Sequence, residues 1–333
     1  MKAVVKYAAG AEHVELREVP EPMPGPGQAL LEVIYTGVCG TDLHVMRDEY
    51  KVHPPVVMGH EVLGRVVGVG SGADADAWMG KRVVTETFFR CCERCEMCRA
   101  GRRNMCEQRE SIGSFRDGGF AEKLVVPVLN LHEVPAGIPD EIAALAEPLA
   151  CTCHALLLRS TIKAGHKVLV TGPGPMGFLA AQVARASGAQ VTLAGIPSDA
   201  EKLTRLASKG ITTTTQTPAE LSFDVGIDCS GVAAGASNAM RAVKRGGAYI
   251  QVGIFGHEVT VPLDVLILHE LTMTAGFSHS PRAWDLALDL MGQDVVDLAP
   301  CVGPIFPIER WADALAAISD GKTMKVLIDS RSR

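Results

Sequence analysis

Beyond Cys151 the apolar pattern changes period, and no other feature constrains the fold of this chain as tightly. Residues 167–171, 190–194, 224–228 and 248–252 read as apolar strands, with helical runs at 176–187 and 201–208 among them. Strands separated by helices pair in parallel, because each helix carries the chain back across the sheet before the next strand begins. The upstream half reads differently. Residues 29–35 and 62–69 are short strands, the second carrying Gly64 and Gly68 where bulges or close backbone approach are expected, and 20–27 is Pro/Gly punctuation. Past Gly276, helices at 282–291 and 309–319 precede a last strand at 325–329; that segment is too short for a domain and is expected to pack back on the first half. Residues 212–215 read as a polar loop. The 333 residues fit about two domains, and the fold class is α/β.

Composition removes several classes of function. At 47% hydrophobic and 21% charged residues the chain is neither disordered nor a coiled coil. A net charge of −6 offers no footprint for a polyanion, so nucleic acid is not an expected partner. No run approaches the ~20 consecutive apolar residues that span a bilayer, and residues 1–7 alternate like a strand instead of forming a signal peptide's apolar core. The expected location is the cytoplasm, where the ten cysteines serve as metal ligands or buried thiols in preference to disulfides.

Cys92, Cys95, Cys98 and Cys106 follow C-x2-C-x2-C-x7-C. Thiolates so spaced can wrap one tetrahedral Zn²⁺, and with sulfur in all four positions no place remains for water or substrate. A structural zinc is expected, clamping a lobe (about 90–107) with little core of its own. An iron–sulfur cluster also takes four cysteines, but the spacing differs from the ferredoxin patterns. Cys91 is left over.

Gly172-Pro173-Gly174-Pro175-Met176-Gly177 is a G-x-G-x-x-G that follows an apolar strand and opens a helix. In that context the backbone N–H groups and the positive helix end face a dinucleotide pyrophosphate. The carboxylate that usually ends the next strand and grips the adenosine ribose is missing: Gly195 stands there, with Ser198, Lys202 and Arg205 downstream and Asp199 near enough to swing in. The balance leans to NADP over NAD. Cofactor contacts are expected at Gly172, Gly174, Pro175, Met176, Gly177, Gly195, Ser198, Ser230, Val252 and Gly253.

The chain resembles the zinc-containing medium-chain alcohol and polyol dehydrogenases, in the sorbitol and threonine dehydrogenase branch. The segments that carry the likeness are GVCGTDLH (37–44), GHEVLGRVVGVGSG (59–72), CERCEMCRAGRRNMC (92–106), GGFAEKLVVP (118–127), AEPLACTCHAL (146–156), VTGPGPMGFLAAQVARASGA (170–189) and KVLI (325–328), in the family's order. The resemblance implies a GroES-like, β-rich catalytic domain from residues 1–148 and 278–333. A Rossmann domain at 149–277 is inserted between them, with two zincs per chain. Carried over, Cys39 and His60 are catalytic-zinc ligands and Glu61 is an exchangeable or outer carboxylate. Glu147 falls where sorbitol-type enzymes place a glutamate, binding the metal directly or through water. The implied reaction is oxidation of a secondary alcohol or polyol to a ketone. The zinc lowers the pKa of the hydroxyl so that an alkoxide forms, and a hydride passes to the nicotinamide. Thr41 takes the proton and His44 passes it to solvent, with Glu61 or Glu147 and a water as the competing route.

Substrate choice is expected to come from Tyr50, Phe115 and residues 276–280. His279-Ser280 replaces the arginine–tyrosine pair of sorbitol dehydrogenases, and Leu149-Ala150 replaces the Gly-Asn of threonine dehydrogenases. A threonine 3-dehydrogenase, a simple alcohol dehydrogenase or carbonyl reductase, and a non-catalytic NADP- or redox-sensing protein stay as alternatives. An enone or quinone reductase on the same fold is disfavoured by the presence of Cys39, His60 and Glu147. Cys151, Cys153, Cys229 and Cys301 are expected to be buried small hydrophobes and His154 a core residue. By analogy with the family the chain forms a homodimer or homotetramer through the edge strands of its Rossmann domain.

Overall fold

The computed structural model describes residues 1–331 except 12, 161, 208–210, 320 and 322. The chain divides into two compact units, Met1–Glu147 with Val302–Arg333, and Pro148–Cys301. The return to the first unit thus falls at Val302, where residue 278 was expected. Helix Pro281–Gly292 explains the difference: it buries Ala283, Trp284, Ala287, Leu288 and Met291 and packs on the π-helical turn His154–Leu158 of the second unit. Arg185 and Arg205 then hold the following loop through the carbonyls of Val295 and Pro300.

The second unit is built on six parallel strands. From one edge they run Thr212–Thr214, Gln190–Ala194, Lys167–Thr171, Phe223–Asp228, Val243–Gln251 and Thr272–Ala275. In chain order this is 3-2-1-4-5-6, the doubly wound dinucleotide-binding arrangement, and its order reverses between Lys167–Thr171 and Phe223–Asp228. The stretch read as a polar loop is an edge strand, paired from Thr192↔Thr212 to Ala194↔Thr214. Threonine is β-branched, which suits a pleated edge despite its polarity. Thr272–Ala275, the opposite edge, was not expected either. Helix Pro175–Ala186 buries every residue from Gly177 to Ala184, so it lies pressed onto the sheet it follows.

The first unit centres on a seven-stranded, largely antiparallel sheet in which Gln28–Gly37 pairs with Glu61–Val69. The pairing shifts register between Val33 and Tyr35. A Cβ on Gly64 would lie 2.8 Å from the Glu32 carbonyl, the close approach its glycine suggested. Strand Lys325–Asp329 joins the same sheet beside Gln28–Gly37, so the C-terminal segment does pack back on the first half. A core of Val38, Val45, Met58, Phe120, Val326 and Ile328 lies under helix Gly40–Met46. One helical run among the described residues, Asp140–Leu158, is long and apolar enough to cross a membrane, but 72% of its apolar window is buried inside the protein.

Candidate active site and metal centres

Helix Gly40–Met46 begins at Cys39, whose backbone N–H donates to Asp42 Oδ2 at 2.8 Å. That cap fixes Cys39 at the end of the turn after strand Gln28–Gly37. Gly59, at φ +89°, lets the chain pass under Phe120: a Cβ there would lie 2.5 Å from the ring. His60 and Glu61 follow at once. Donor atoms of Cys39, His60 and Glu61 all lie within 4.8 Å of one another.

Electrostatics tightens the group. Asp42 Oδ1 lies 3.4 Å from His60 Nδ1. Burial disfavours a charged imidazole, yet Asp42 and Cys39 outweigh it, so His60 is held well above the usual histidine range. Lys325 Nζ donates to Glu61 Oε1 at 2.6 Å in a buried pair. Burial opposes that ammonium too, but Glu61, Cys39 and Glu147 keep it firmly charged. The Glu61 carboxylate needs Gly37 beneath it, since a Cβ there would lie 2.1 Å from Oε2. Oε2 itself is buried with no hydrogen-bond partner among the described residues. A buried carboxylate oxygen left over beside a thiol and an imidazole fits a divalent cation with N, O and S donors and an open position. Glu147 is buried and close enough to act on Lys325, but it is not among the gathered donors.

Thr41 and His44, expected in the proton route, lie on helix Gly40–Met46. The Cys39 thiol lies 3.6 Å from Thr41 Oγ1. His44, one turn further, is 44% exposed in its side chain and its Nδ1 lies 2.8 Å from Glu49 Oε2, so the imidazole meets solvent beside a carboxylate.

The four-cysteine lobe is local. Cys95 caps helix Glu96–Arg99, and strand Phe88–Arg90 pairs with Glu110–Ser111 beneath it. All four sulfurs lie within 4.8 Å of one another. Cys92 and Cys98 are 3.9 Å apart, against ~3.8 Å for two corners of a zinc tetrahedron with Zn–S near 2.3 Å. Backbone N–H groups of Arg94 and Cys95 lower the Cys92 thiol to about 6, whereas burial pushes Cys98 up to about 12. One sulfur is thus ready as thiolate, and the other needs a cation to give up its proton. Cys91 points away, donating to the Arg103 carbonyl at 3.6 Å, with its thiol pushed up to about 11 by burial.

In the second unit the glycine-rich turn sits at the strand-order reversal. Gly172 (φ +92°) is pressed against Ser230, where a Cβ would lie 2.6 Å from its Cα, and a Cβ on Gly177 would lie 1.8 Å from the Gly172 carbonyl. Gly174, the cap of helix Pro175–Ala186, faces open space. The first and third glycines therefore serve packing, and the second leaves room for a ligand at the helix end. Gly253 packs on Gly231, and Val252 N–H donates to the Asp228 carbonyl at 2.9 Å, which brings Ser230, Val252 and Gly253 to the same rim. Gly195 does have a carboxylate beside it, because a Cβ there would lie 2.9 Å from Asp199 Oδ2. Both Asp199 oxygens are engaged, one by Ile196 N–H at 3.1 Å and the other by Lys202 at 2.9 Å. Ser198 lies in the short 3-10 turn Pro197–Asp199 between them.

Three functional residues escaped the sequence reading. Asp42 and Lys325 act on the candidate ligands from outside; both lie in segments that carry the family likeness, but nothing in the spacing gave them a role. Asp228 is fully buried, with Oδ1 accepting from Thr171 at 2.9 Å and Oδ2 from Gln251 Nε2 at 2.7 Å, so it ties three strand ends under the glycine-rich turn. A carboxylate ending an apolar strand was its only signal. Two expectations need correction. His279 is fully buried edge-on against Trp284, with ring centroids 5.2 Å apart, and is core instead of substrate wall. Cys153 and Cys301 are buried, but Cys151 and Cys229 are only half-buried. His154 is buried as expected.

Comparisons with known proteins bear on the family of this chain. The family model of the alcohol dehydrogenase GroES-like domain matches residues 25–136, and that of the zinc-binding dehydrogenases matches 175–293. A sorbitol dehydrogenase of Halalkalibacterium halodurans is 37% identical over 98% of this chain and 99% of its own. A D-arabitol-phosphate dehydrogenase of Enterococcus avium is 30% identical over 99% and 97%. Among solved structures, a zinc-binding dehydrogenase of Sinorhizobium meliloti 1021 bound to NADP superposes with a TM-score of 0.88 at 31% identity, covering 98% of each chain.

Proposed function

We propose the following division of labour from the premise that this chain belongs to the zinc-containing medium-chain alcohol and polyol dehydrogenase family. It is a zinc- and NAD(P)-dependent dehydrogenase that oxidises an alcohol or polyol hydroxyl to a carbonyl. The observation that carries the residue assignment is the gathering of Cys39, His60 and the unpartnered Glu61 Oε2.

Cys39, His60 and Glu61 hold the catalytic zinc, which when bound supplies a Lewis acid that acidifies the substrate hydroxyl. Asp42 engages His60 Nδ1 and so presents Nε2 to the metal. Lys325 grips one oxygen of Glu61 and leaves the other to the site. Glu147, outside the gathered donors, serves as an outer carboxylate. Thr41 beside Cys39 takes up the hydroxyl proton as it gives its own away, and His44 with Glu49 releases a proton to solvent. The nicotinamide supplies the hydride acceptor, and the turn from Gly172 to Gly177 holds the pyrophosphate of its dinucleotide. Lys202 pairs with Asp199 beside Gly195, so the acidic charge that would favour a ribose diol and repel a 2′-phosphate is balanced there; this favours NADP. Cys92, Cys95, Cys98 and Cys106 hold a second, structural zinc.

The edge strand Thr272–Ala275 exposes Met273, and Ile267 and Leu268 stand exposed just before it. An open strand edge beside apolar side chains supports a homodimer or homotetramer through this edge.

The test is reduction of NAD⁺ and NADP⁺ by zinc-loaded protein with secondary alcohols, polyols and threonine, alongside metal analysis. Reduced nicotinamide with two zincs per chain is expected. Full zinc content with no turnover of any of these alcohols would defeat the reading.

A further inference from the structure

Outside the metal group, the first unit has a pocket of about 660 Å³ at the foot of the four-cysteine lobe. Its lining carries five cations, Lys51, Arg90, Arg94, Arg109 and Arg116, against the carboxylates of Glu107 and Glu110. A surplus of three positive charges in a chain of net charge −6 is a local inversion of sign. Counting the formal minus two of a zinc held by four thiolates still leaves the pocket positive. Glu110 is already engaged, 2.7 Å from Arg116 and 3.9 Å from Arg90. Among the described residues Lys51 and Arg94 have no carboxylate partner, and Lys51 stands 5.6 Å over the Phe115 ring, which His53 braces at 4.6 Å.

The pocket wall is also joined to the metal group. A Cβ on Gly113 would lie 2.8 Å from the Gly59 carbonyl, so the segment bearing Phe115 and Arg116 is pinned to the residue before His60. Ser114 and His53 are tied by a 2.8 Å backbone hydrogen bond. Guanidinium and ammonium groups converging on one recess suit a phosphate, which takes several charge-assisted hydrogen bonds at once.

We propose that this pocket, lined by Lys51, Arg90, Arg94, Arg109 and Arg116, is an anion site that receives a phosphate group. The phosphate belongs either to a phosphorylated polyol substrate or to a free inorganic anion; the first source rests on the dehydrogenase reading, and the second does not. Titration of inorganic phosphate into zinc-loaded protein, at low ionic strength and followed by calorimetry, tests the site itself. Saturable binding is expected, weakened about tenfold or more in the double variant Lys51→Gln with Arg94→Gln at unchanged zinc content. No saturable binding, or equal binding by the variant, overturns the proposal. Kinetics with D-arabitol and D-arabitol phosphate then separates the sources. A KM lower for the phosphate ester, raised by inorganic phosphate and by the variant, assigns the pocket to substrate. Saturable phosphate binding that leaves that KM unmoved assigns it to a free anion. Should neither alcohol be oxidised, the assignment to a phosphorylated polyol substrate fails while calorimetry still judges the pocket.

Discussion

Among the described residues, two groups of side chains that could hold a metal ion stand in one unit of this protein, and they are built on opposite principles. The lobe gathers Cys92, Cys95, Cys98 and Cys106 from one short segment, and its small core is made of those sulfurs with Phe88 and Cys91. The other group takes Cys39 from a helix cap and His60 and Glu61 from the start of a strand, over a large hydrocarbon core. A closed ring of sulfur can only hold shape. Three mixed donors with a leftover oxygen and an ion-paired lysine leave a position for chemistry. Metal is therefore expected to serve stability at the first and turnover at the second.

The largest test of that contrast is Cys39→Ala. Turnover should fall at least about a thousandfold while the lobe keeps its zinc, with little change in melting temperature. Metal analysis falling from two zincs to one marks the same loss. Cys106→Ser should do the reverse: a fully buried ligand is lost, and unfolding should become easier by more than about 3 kcal/mol by denaturant titration. Equal effects of the two variants on stability would erase the distinction. Asp42→Asn probes the outer support of the open group. It keeps shape but removes the charge facing His60, so metal affinity or activity should drop roughly 10–100-fold.

The smallest effect is in pH. In metal-free protein, the raised pKa of His60 contributes stability that is full below its ordinary 6.5 and is lost as pH rises through the higher folded value. Zinc must expel that proton, so binding gains as pH rises. Melting temperatures with and without zinc should therefore diverge as pH rises above about 6.5, the gap widening upward. A constant gap would mean that His60 is not a ligand.

Legibility followed sequence distance. The four cysteines and the G-x-G-x-x-G were readable because each site is made by neighbours along the chain, where spacing alone dictates geometry. The parallel sheet was readable from alternating periodicity, and its buried strands at Lys167–Thr171 and Gln190–Ala194 fell where expected. Edge strands such as Thr212–Thr214 bury little and carry weak patterns, so they read as loop.

Amino-acid order alone determined the α/β class, the cysteine spacing of the lobe and the glycine-rich turn, while the resemblance of its motifs to the family marked Cys39, His60, Glu61 and Glu147 as candidate ligands. Tertiary structure decided the rest. It set Lys325, 264 positions from Glu61, against that carboxylate, folded Asp199 back onto Gly195, placed His279 in the core, and drew five cations around one recess. These are contacts between side chains far apart in sequence or turned by a local cap, and their energies depend on burial and distance, which no spacing encodes.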